Sequence, residues 1–138
     1  MTPLLLGRWE TRVVMMATIG VVISAAFAAG LRSNIPFIIL GWVVAFGIGW
    51  DIVFFLLQKL RWERDWPAAF AILSGVVEGA LIYALIRNTG LPGIHKGAVS
   101  TKVFIADYAL IWVLAFAWIE GPMKTLTLYW RFHGGRFV

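Results

Sequence analysis

Cysteine is absent from the 138 residues of the sequence. This absence excludes disulfide bonds, thiolate metal sites and thiol nucleophiles. Charge is also scarce, because charged residues make up 14% of the chain, against about 25% in a typical soluble domain. Hydrophobic residues reach 61%, which is more apolar surface than one globular core of this size can bury. Lipid must cover the rest, so the composition predicts an integral membrane protein.

The groups that most catalytic and cofactor sites require are missing from the long apolar stretches. Both histidines, His95 and His133, lie outside these stretches, and no Ser-His-Asp set, P-loop or dinucleotide fingerprint occurs. The sequence therefore predicts no enzyme activity, no cofactor and no metal site. Residues 1–6 lack the basic region and the cleavage site of a signal peptide, so we expect no removable leader. The net charge of +5 fits flanks that face anionic lipid headgroups rather than nucleic acid.

Four stretches are long and apolar enough to cross a membrane. A hydrocarbon core about 30 Å thick needs roughly 20 residues of helix, and the predicted spans cover residues 12–31, 36–58, 67–86 and 103–121. Pro36 and Pro67 fit the first turn of a helix, whereas Pro122 should stop or kink one. The first connection is only a few residues long, which forces a helical hairpin. The sequence therefore predicts an all-α membrane protein whose single domain, residues 1–138, is an antiparallel bundle of four transmembrane helices.

Basic residues are unequally divided between the two ends of this bundle. Eight lie at the end that carries both termini and four at the other, and an excess of lysine and arginine marks the cytoplasmic side. The larger group is Arg8, Arg12, Lys59, Arg61, Arg64, Lys124, Arg131 and Arg136, and the smaller is Arg32, Arg87, Lys96 and Lys102. Four tryptophans are expected to anchor the same cytoplasmic interface: Trp9, Trp62, Trp66 and Trp130. We therefore expect both termini in the cytoplasm, and the short loops suggest a bacterial or archaeal cytoplasmic membrane.

The segment after Pro122 differs from the four spans. Met123, Leu126 and Trp130 share one helical face, so residues 123–132 are predicted to form a short amphipathic segment along the lipid headgroups. Residues 133–138 contain two consecutive glycines and are expected to be flexible. Residues 123–138 as a whole are thus predicted to form a cytoplasmic tail.

Small residues repeat on the predicted helices and mark where two backbones approach closely in lipid. Gly20, Ser24 and Ala28 follow one another every four residues on the first span, and Gly75 and Gly79 form a GxxxG pair on the third. Two further small positions are Gly47 on the second span and Ser74 on the third. Packing within the bundle is the simpler interpretation of these surfaces. The alternative is that one strip, most readily that of the first helix, docks against another subunit.

Four of the seven acidic residues lie inside predicted spans, where a carboxylate that faces lipid costs roughly 2.5–3.5 kcal/mol. Asp51 is expected about 10 Å from the inner end of the second span, and Glu78 about 16 Å from the inner end of the third. A short turn joins these spans, so the two side chains should come within about one helical turn in depth. One of them should then be protonated, or a cation should lie between them. The alternative is that each bonds to a serine, a tryptophan N–H or an arginine of a partner chain.

Glu120 lies near the inner end of the fourth span. It can pair with Lys124 four residues later, which is a satisfied surface arrangement. It can also join Asp51 as a third acid in the inner half of the bundle, and Gln58 lies near the same cytoplasmic mouth. The pairing with Lys124 is the simpler interpretation.

Asp107 lies in the first turns of the fourth span, where the helix dipole favours an anion. Lys102 and Lys96 precede it closely in the sequence and are within reach. We therefore expect Asp107 to be a structural residue with a satisfied charge.

Three functional hypotheses follow from these residues. The first is a non-catalytic membrane subunit that assembles with itself or with a larger membrane complex through its small-residue faces and buried carboxylates. The second is an oligomeric proton or cation channel or transporter in which Asp51 and Glu78 carry the ion, with Gln58 and Glu120 nearer the cytoplasmic mouth. The third is a holin-like pore former, suggested only by the small size, the four spans and the basic tail.

Overall fold

A computed structural model describes residues 4–60 and 67–137. Within these ranges the chain forms no β-strand and four long helices, which are α1 (Leu5–Leu31), α2 (Ile35–Leu60), α3 (Ala68–Asn88) and α4 (Thr101–Leu126). A short helix, α5 (Leu128–Phe132), follows them. Each long helix has the length and the apolar composition that crossing a membrane requires. The prediction of an all-α chain with four helices able to span a membrane is therefore confirmed.

Helix α1 begins at Leu5, earlier than the predicted start at Arg12. The prediction begins the first span at the last basic residue, because a charge that faces lipid is costly. In the structure the helix continues toward the N-terminus, because the guanidinium of Arg12 is paired inside the bundle. A turn of π-helix, Met16–Gly20, lies in the middle of α1 and widens it locally.

Helix α4 also continues beyond its predicted end at Gly121. Pro122 lacks a backbone N–H and cannot continue the α-helical hydrogen-bond pattern. The structure accommodates this proline in a π-helical turn, Ile119–Met123, after which the chain continues as Lys124–Leu126. The proline therefore changes the helix type locally without ending the helix.

Short connections and hydrogen bonds determine which helices are neighbours. Arg32 adopts a left-handed backbone conformation with φ of 50° and ends α1, so that α2 begins after a three-residue turn. The first half of α1 lies against the second half of α2, where the indole N–H of Trp9 donates to the carbonyl of Ile48 at 3.3 Å. The loop between α3 and α4 is held against α2 by a hydrogen bond of 3.2 Å from the indole N–H of Trp42 to the carbonyl of Pro92. Helix α2 is therefore packed against α1 along one side and against this loop at one end.

The small residues of the helices allow neighbouring side chains to lie against the backbone. A Cβ atom at Gly20, for example, would lie 2.7 Å from Cδ1 of Leu40. The groups that cover the other helix glycines predicted to pack are Arg12 over Gly47, Trp112 over Gly75 and Tyr108 over Gly79. Ser24 is fully buried and Ala28 half-buried, while the hydroxyl of Ser74 donates to the carbonyl of Ala71 at 2.7 Å. The chain itself therefore covers Gly20 and Ser24, two of the three positions of the first-helix strip that the alternative interpretation assigns to another subunit.

The C-terminal segment is docked on α1. Gly134 and Gly135 adopt positive φ angles of 65° and 89°, which turn the chain so that the carbonyl of Gly134 accepts a hydrogen bond from the N–H of Leu4 at 2.8 Å. Gly7 lacks a side chain, and a Cβ atom there would lie 2.9 Å from the Cα of Gly135. The two backbones meet because neither carries a side chain at the contact. The expectation of a flexible tail is therefore wrong for residues 133–137.

The docked tail also changes the role of its tryptophan. Trp130 is 3% exposed and its indole N–H donates to the hydroxyl of Thr11 at 2.8 Å. It packs on α1 and does not lie at the bundle surface, where an interface anchor is expected. Leu126, predicted on the same apolar face, is 75% exposed, so residues 123–132 do not present one uniform face. Trp9 is half-buried, and the predicted anchors Trp62 and Trp66 lie outside the described residues.

Candidate functional site

An ion cluster links α1, α2 and α3 inside the bundle. Nε of Arg12 donates to Oδ2 of Asp51 at 2.8 Å, and Nη2 donates to Oδ1 at 3.1 Å, which makes this pair bidentate. Nη1 of the same guanidinium donates to Oε1 of Glu78 at 3.0 Å. The side chains of Asp51 and Glu78 are 8% and 5% exposed, and that of Arg12 is 18% exposed. The cation between the two carboxylates is therefore an arginine of the chain itself.

The position of each residue along its helix makes this cluster possible. Glu78 lies at the midpoint of α3, and Asp51 lies nine residues before the end of α2. Gly47 precedes Asp51 by one turn of α2, and the guanidinium of Arg12 occupies the space that a side chain would fill there. One positive and two negative groups meet, so the cluster carries a formal net charge of −1 when all three are ionised.

Two further polar pairs lie toward the chain termini. Arg8 precedes Arg12 by one turn, and its Nη2 donates to Oε1 of the buried Gln58 at 2.8 Å. Nζ of Lys124 donates to Oε2 of Glu120 at 2.5 Å, and these two side chains are 36% and 33% exposed. Glu120 therefore pairs with the next turn of its own helix, as the simpler interpretation of the sequence predicts.

Asp107 differs from these acids. It lies six residues after the start of α4 and is 1% exposed, and neither of its carboxylate oxygens has a hydrogen-bond partner among the described residues. Lys96 and Lys102, the partners that the sequence suggests, are both exposed. Burial removes water from the carboxylate without supplying a replacement, which is costly. The expectation that Asp107 is a satisfied structural acid is therefore wrong.

A cavity of about 250 Å³ runs through the same region of the bundle. Asp107 and Lys124 both line it, and they are seventeen positions apart on α4, which corresponds to about 25 Å of helix. Among the described residues, the charged side chains in its wall are three cations and four acids: Arg8, Arg12, Lys124, Asp51, Glu78, Asp107 and Glu120. The described part of the wall therefore carries a formal net charge of −1 when all of these groups are ionised.

Apolar and aromatic side chains form much of the remaining cavity wall. Trp112 and Phe116 of α4 line the cavity and stack on each other, with ring centroids 5.1 Å apart. Tyr108, one turn before Trp112, also lines it, and its hydroxyl donates to the carbonyl of Gly75 at 2.7 Å, which ties α4 to α3. A concave, largely apolar wall with a few polar groups is typical of a small-molecule site.

In the part of the chain that the structure describes, no group of three histidine, cysteine, aspartate or glutamate side chains is placed to hold a metal ion. Asp51 and Glu78 are bonded to Arg12. Their oxygens therefore already accept hydrogen bonds that a hard metal ion would have to displace.

The sequence does not predict the surroundings of two residues of this site, Arg12 and Asp107. Arg12 is assigned to the lipid headgroups, because basic residues usually flank a span. One signal in the sequence points the other way, since residues 4–6 are all leucine and a helix that includes them places Arg12 two turns inside. Nothing in the sequence indicates that Asp107 lacks a hydrogen-bond partner among the described residues, because this depends on how α4 is rotated in the folded bundle.

The cavity thus brings together two kinds of acid. Asp51 and Glu78 are neutralised by Arg12, whereas Asp107 has no counter-charge bonded to it among the described residues. One monovalent cation or one proton would cancel the formal charge of −1 in the described part of the wall. No family model, curated protein or solved structure matches the chain.

Proposed function

We propose that this chain is a small membrane protein that conducts or transports a proton or a monovalent cation. One observation carries the proposal: the cavity is lined by residues that lie about 25 Å apart along α4, and among the described residues its wall is negative and contains a carboxylate, Asp107, with no hydrogen-bond partner. This separation approaches the hydrocarbon thickness of about 30 Å, so residues that line the cavity occur along most of the length of α4 that would cross a membrane. Ionisable residues that face such an interior path are typical of ion and proton translocation.

The acids have different roles in this proposal. Asp51 and Glu78, which the sequence suggests as the ion carriers, are each hydrogen-bonded to Arg12. Their cluster holds three helices together, and its net negative charge attracts a cation into the cavity. Asp107 is the group that exchanges the proton or cation, because among the described residues it has no hydrogen-bond partner to release. Glu120 lines the cavity near the termini, where the ion passes to or from the cytoplasm.

The topology is part of the same proposal. The four helices cross a bacterial or archaeal cytoplasmic membrane in antiparallel order, with both termini in the cytoplasm. The three-residue turn after α1 and the contact between Trp9 and Ile48 support a hairpin of α1 and α2. Arg8, Arg12 and Lys124 line the cavity, so eight basic residues at the terminal end become five, against four at the other end. The excess still favours cytoplasmic termini.

Ion flux in proteoliposomes tests the transport proposal. We expect the protein to carry H⁺, Na⁺ or K⁺ down a gradient, measured with an internal pH dye and with tracer ions, and we expect Asp107→Asn to lose most of this flux. Thr18→Val is the control, because Thr18 is exposed and its hydroxyl donates within its own helix. Wild-type protein that gives no more flux of any of these ions than empty liposomes would refute the proposal.

A second candidate is a non-catalytic subunit that assembles with itself or with a larger membrane complex. An apolar groove of about 320 Å³ lies between α3 and α4. Val76, Ile105 and Val113 line it and are more than half exposed, so the groove opens on the outside of the bundle, where a helix of another subunit can pack. Light scattering in mild detergent tests this candidate, and a monomer with no co-purifying protein would contradict it.

A further inference from the structure

The apolar groove between α3 and α4 offers an occupant mainly hydrocarbon contacts. Among the described residues, the polar side-chain atoms in its wall are the hydroxyls of Tyr83 and Tyr108 and the indole nitrogen of Trp112. Both hydroxyls are already hydrogen-bonded, that of Tyr108 to the carbonyl of Gly75. The indole nitrogen lies against Gly75, in the space that a Cβ atom would fill. The groove therefore suits a hydrocarbon chain.

The length of the groove matches one leaflet of a bilayer. The residues that line it on α3 extend from Gly75 to Tyr83, which corresponds to about 12 Å of helix. Half of the hydrocarbon core is about 15 Å thick. A transmembrane helix of another subunit would continue past both ends of the groove over about 30 Å, whereas one acyl chain of a lipid occupies a single leaflet. The length therefore favours an acyl chain.

Two groups that favour an anion meet at the Tyr83 end of the groove. Nη1 of Arg87 donates to the hydroxyl of Tyr83 at 3.0 Å, and this hydroxyl lies 2.5 Å from that of Thr101, the first residue of α4. Arg87 is exposed and has no ion pair in the described part of the chain, so its remaining N–H groups are available to a phosphate. The side chain of the N-cap residue Ser100 does not cap α4, so the first N–H groups of this helix also favour an anion.

The surface around this end of the groove is positively charged. Arg32, Lys96 and Lys102 lie at the same end of the bundle as Arg87, and all four are exposed. The segments that form this end, residues 22–44 and 79–102, contain no aspartate or glutamate. Such a surface attracts an anionic lipid headgroup, whereas the quaternary ammonium of a zwitterionic lipid finds no carboxylate in these segments.

We propose that this groove binds one acyl chain of an anionic phospholipid, whose phosphate is held by Arg87 beside the first turn of α4. Hydrogen bonds between a guanidinium and a phosphate are charge-assisted and frequently bidentate. The chain exchanges the apolar surroundings of the bilayer for those of the groove, so the groove sets its position and the headgroup supplies most of the preference. The inference goes beyond ion transport and does not depend on it.

Native mass spectrometry of the full-length protein in detergent tests this site, with dioleoylphosphatidylglycerol and dioleoylphosphatidylcholine titrated separately. We expect one phosphatidylglycerol per chain, bound more tightly than phosphatidylcholine. Arg87→Gln should lower the affinity for phosphatidylglycerol about tenfold, because it removes a charged donor to the phosphate. Lys96→Gln is the matched control, because Lys96 is exposed at the same end but does not line the groove. It should lower this affinity much less than Arg87→Gln does.

A second pair of variants tests the position of the chain. Ala80 is exposed and lines the groove, so Ala80→Phe fills it and should weaken the binding of both lipids. Ala84, one turn later on α3, is also exposed but does not line the groove. Ala84→Phe makes the same substitution and should leave both affinities unchanged.

Three outcomes would overturn the inference. Equal affinity for the two lipids, or equal losses in Arg87→Gln and Lys96→Gln, would show an effect of surface charge alone. Lipid binding that is unchanged in Ala80→Phe would place the lipid elsewhere on the protein. A dimer that Ala80→Phe dissociates would assign the groove to a second copy of this chain. Ion flux, whether present or absent, bears on the transport proposal alone.

Discussion

Replacing Arg12 with methionine is expected to destabilise the protein more than any other single change in the ion cluster. In Arg12→Met, the carboxylates of Asp51 and Glu78 stay buried but lose three hydrogen bonds and their counter-charge. Removing one partner of a buried ion pair costs about 3–5 kcal/mol, because an uncompensated charge remains. Two such charges remain here, so we expect a cost at the upper end of this range.

The two acid variants should cost less, and in a defined order. Glu78→Gln leaves the bidentate pair of Arg12 and Asp51, which is neutral as a whole, so we expect a loss of about 1 kcal/mol. Asp51→Asn breaks the bidentate pair and leaves Arg12 with one bond of 3.0 Å to Glu78, so we expect about 2 kcal/mol. The losses of stability differ because Arg12 makes two hydrogen bonds to Asp51 and one to Glu78.

Thermal unfolding in a single detergent, followed by circular dichroism, measures this order. For a chain of this length 1 kcal/mol corresponds to about 4 °C in Tm, so Arg12→Met should lower the Tm by roughly 15–20 °C and Glu78→Gln by about 4 °C. The triple variant with Arg12→Met, Asp51→Asn and Glu78→Gln has no charge in the cluster and should recover most of the loss. A triple variant that is no more stable than Arg12→Met would show that uncompensated charge is not the cause.

Three further predictions concern the tail and the surface. Gly7→Ala should release the docked tail and speed its cleavage by trypsin, whereas Gly30→Ala, which points into open space, should leave the cleavage rate unchanged. Thr11→Val removes the acceptor of the Trp130 indole N–H, so it should cost about 1–3 kcal/mol in thermal unfolding; an unchanged Tm would contradict the docking. Glu120→Gln breaks an ion pair that is about one-third exposed, so it should change the free energy of unfolding by less than about 1 kcal/mol, again measured as Tm.

The sequence predicts the proximity of Asp51 and Glu78 but not the residue that joins them. Helical periodicity and a short turn are local features, and together they bring the two acids to similar depth. Arg12 lies seven residues after the start of α1 at Leu5, and its guanidinium is bonded to Asp51 and Glu78 on two other helices. Such a tertiary contact is not detected by a window of apolar residues.

For Asp107, the sequence predicts a partner that the folded bundle does not provide among the described residues. Spacing along the chain permits a pair with Lys102, and the helix dipole permits an anion there. The rotation of α4 instead turns Asp107 toward the core. Phe104 and Ile111 lie on the same face of the helix and are 3% and 6% exposed. Lys102 lies on another face of the helix and is exposed. The rotation follows from packing between helices, which the pattern of one helix does not specify.

The Arg12 cluster and Asp107 differ in how many hydrogen bonds a proton or cation would break when it binds. A proton or cation that binds within the Arg12 cluster must compete with three hydrogen bonds that hold α1, α2 and α3 together. At Asp107 it displaces no hydrogen bond in the described part of the chain, while the bond from Tyr108 to Gly75 keeps α4 against α3. Ion binding and stability are therefore separable in this bundle: changes at Arg12 should act mainly on unfolding, and changes at Asp107 mainly on binding and flux.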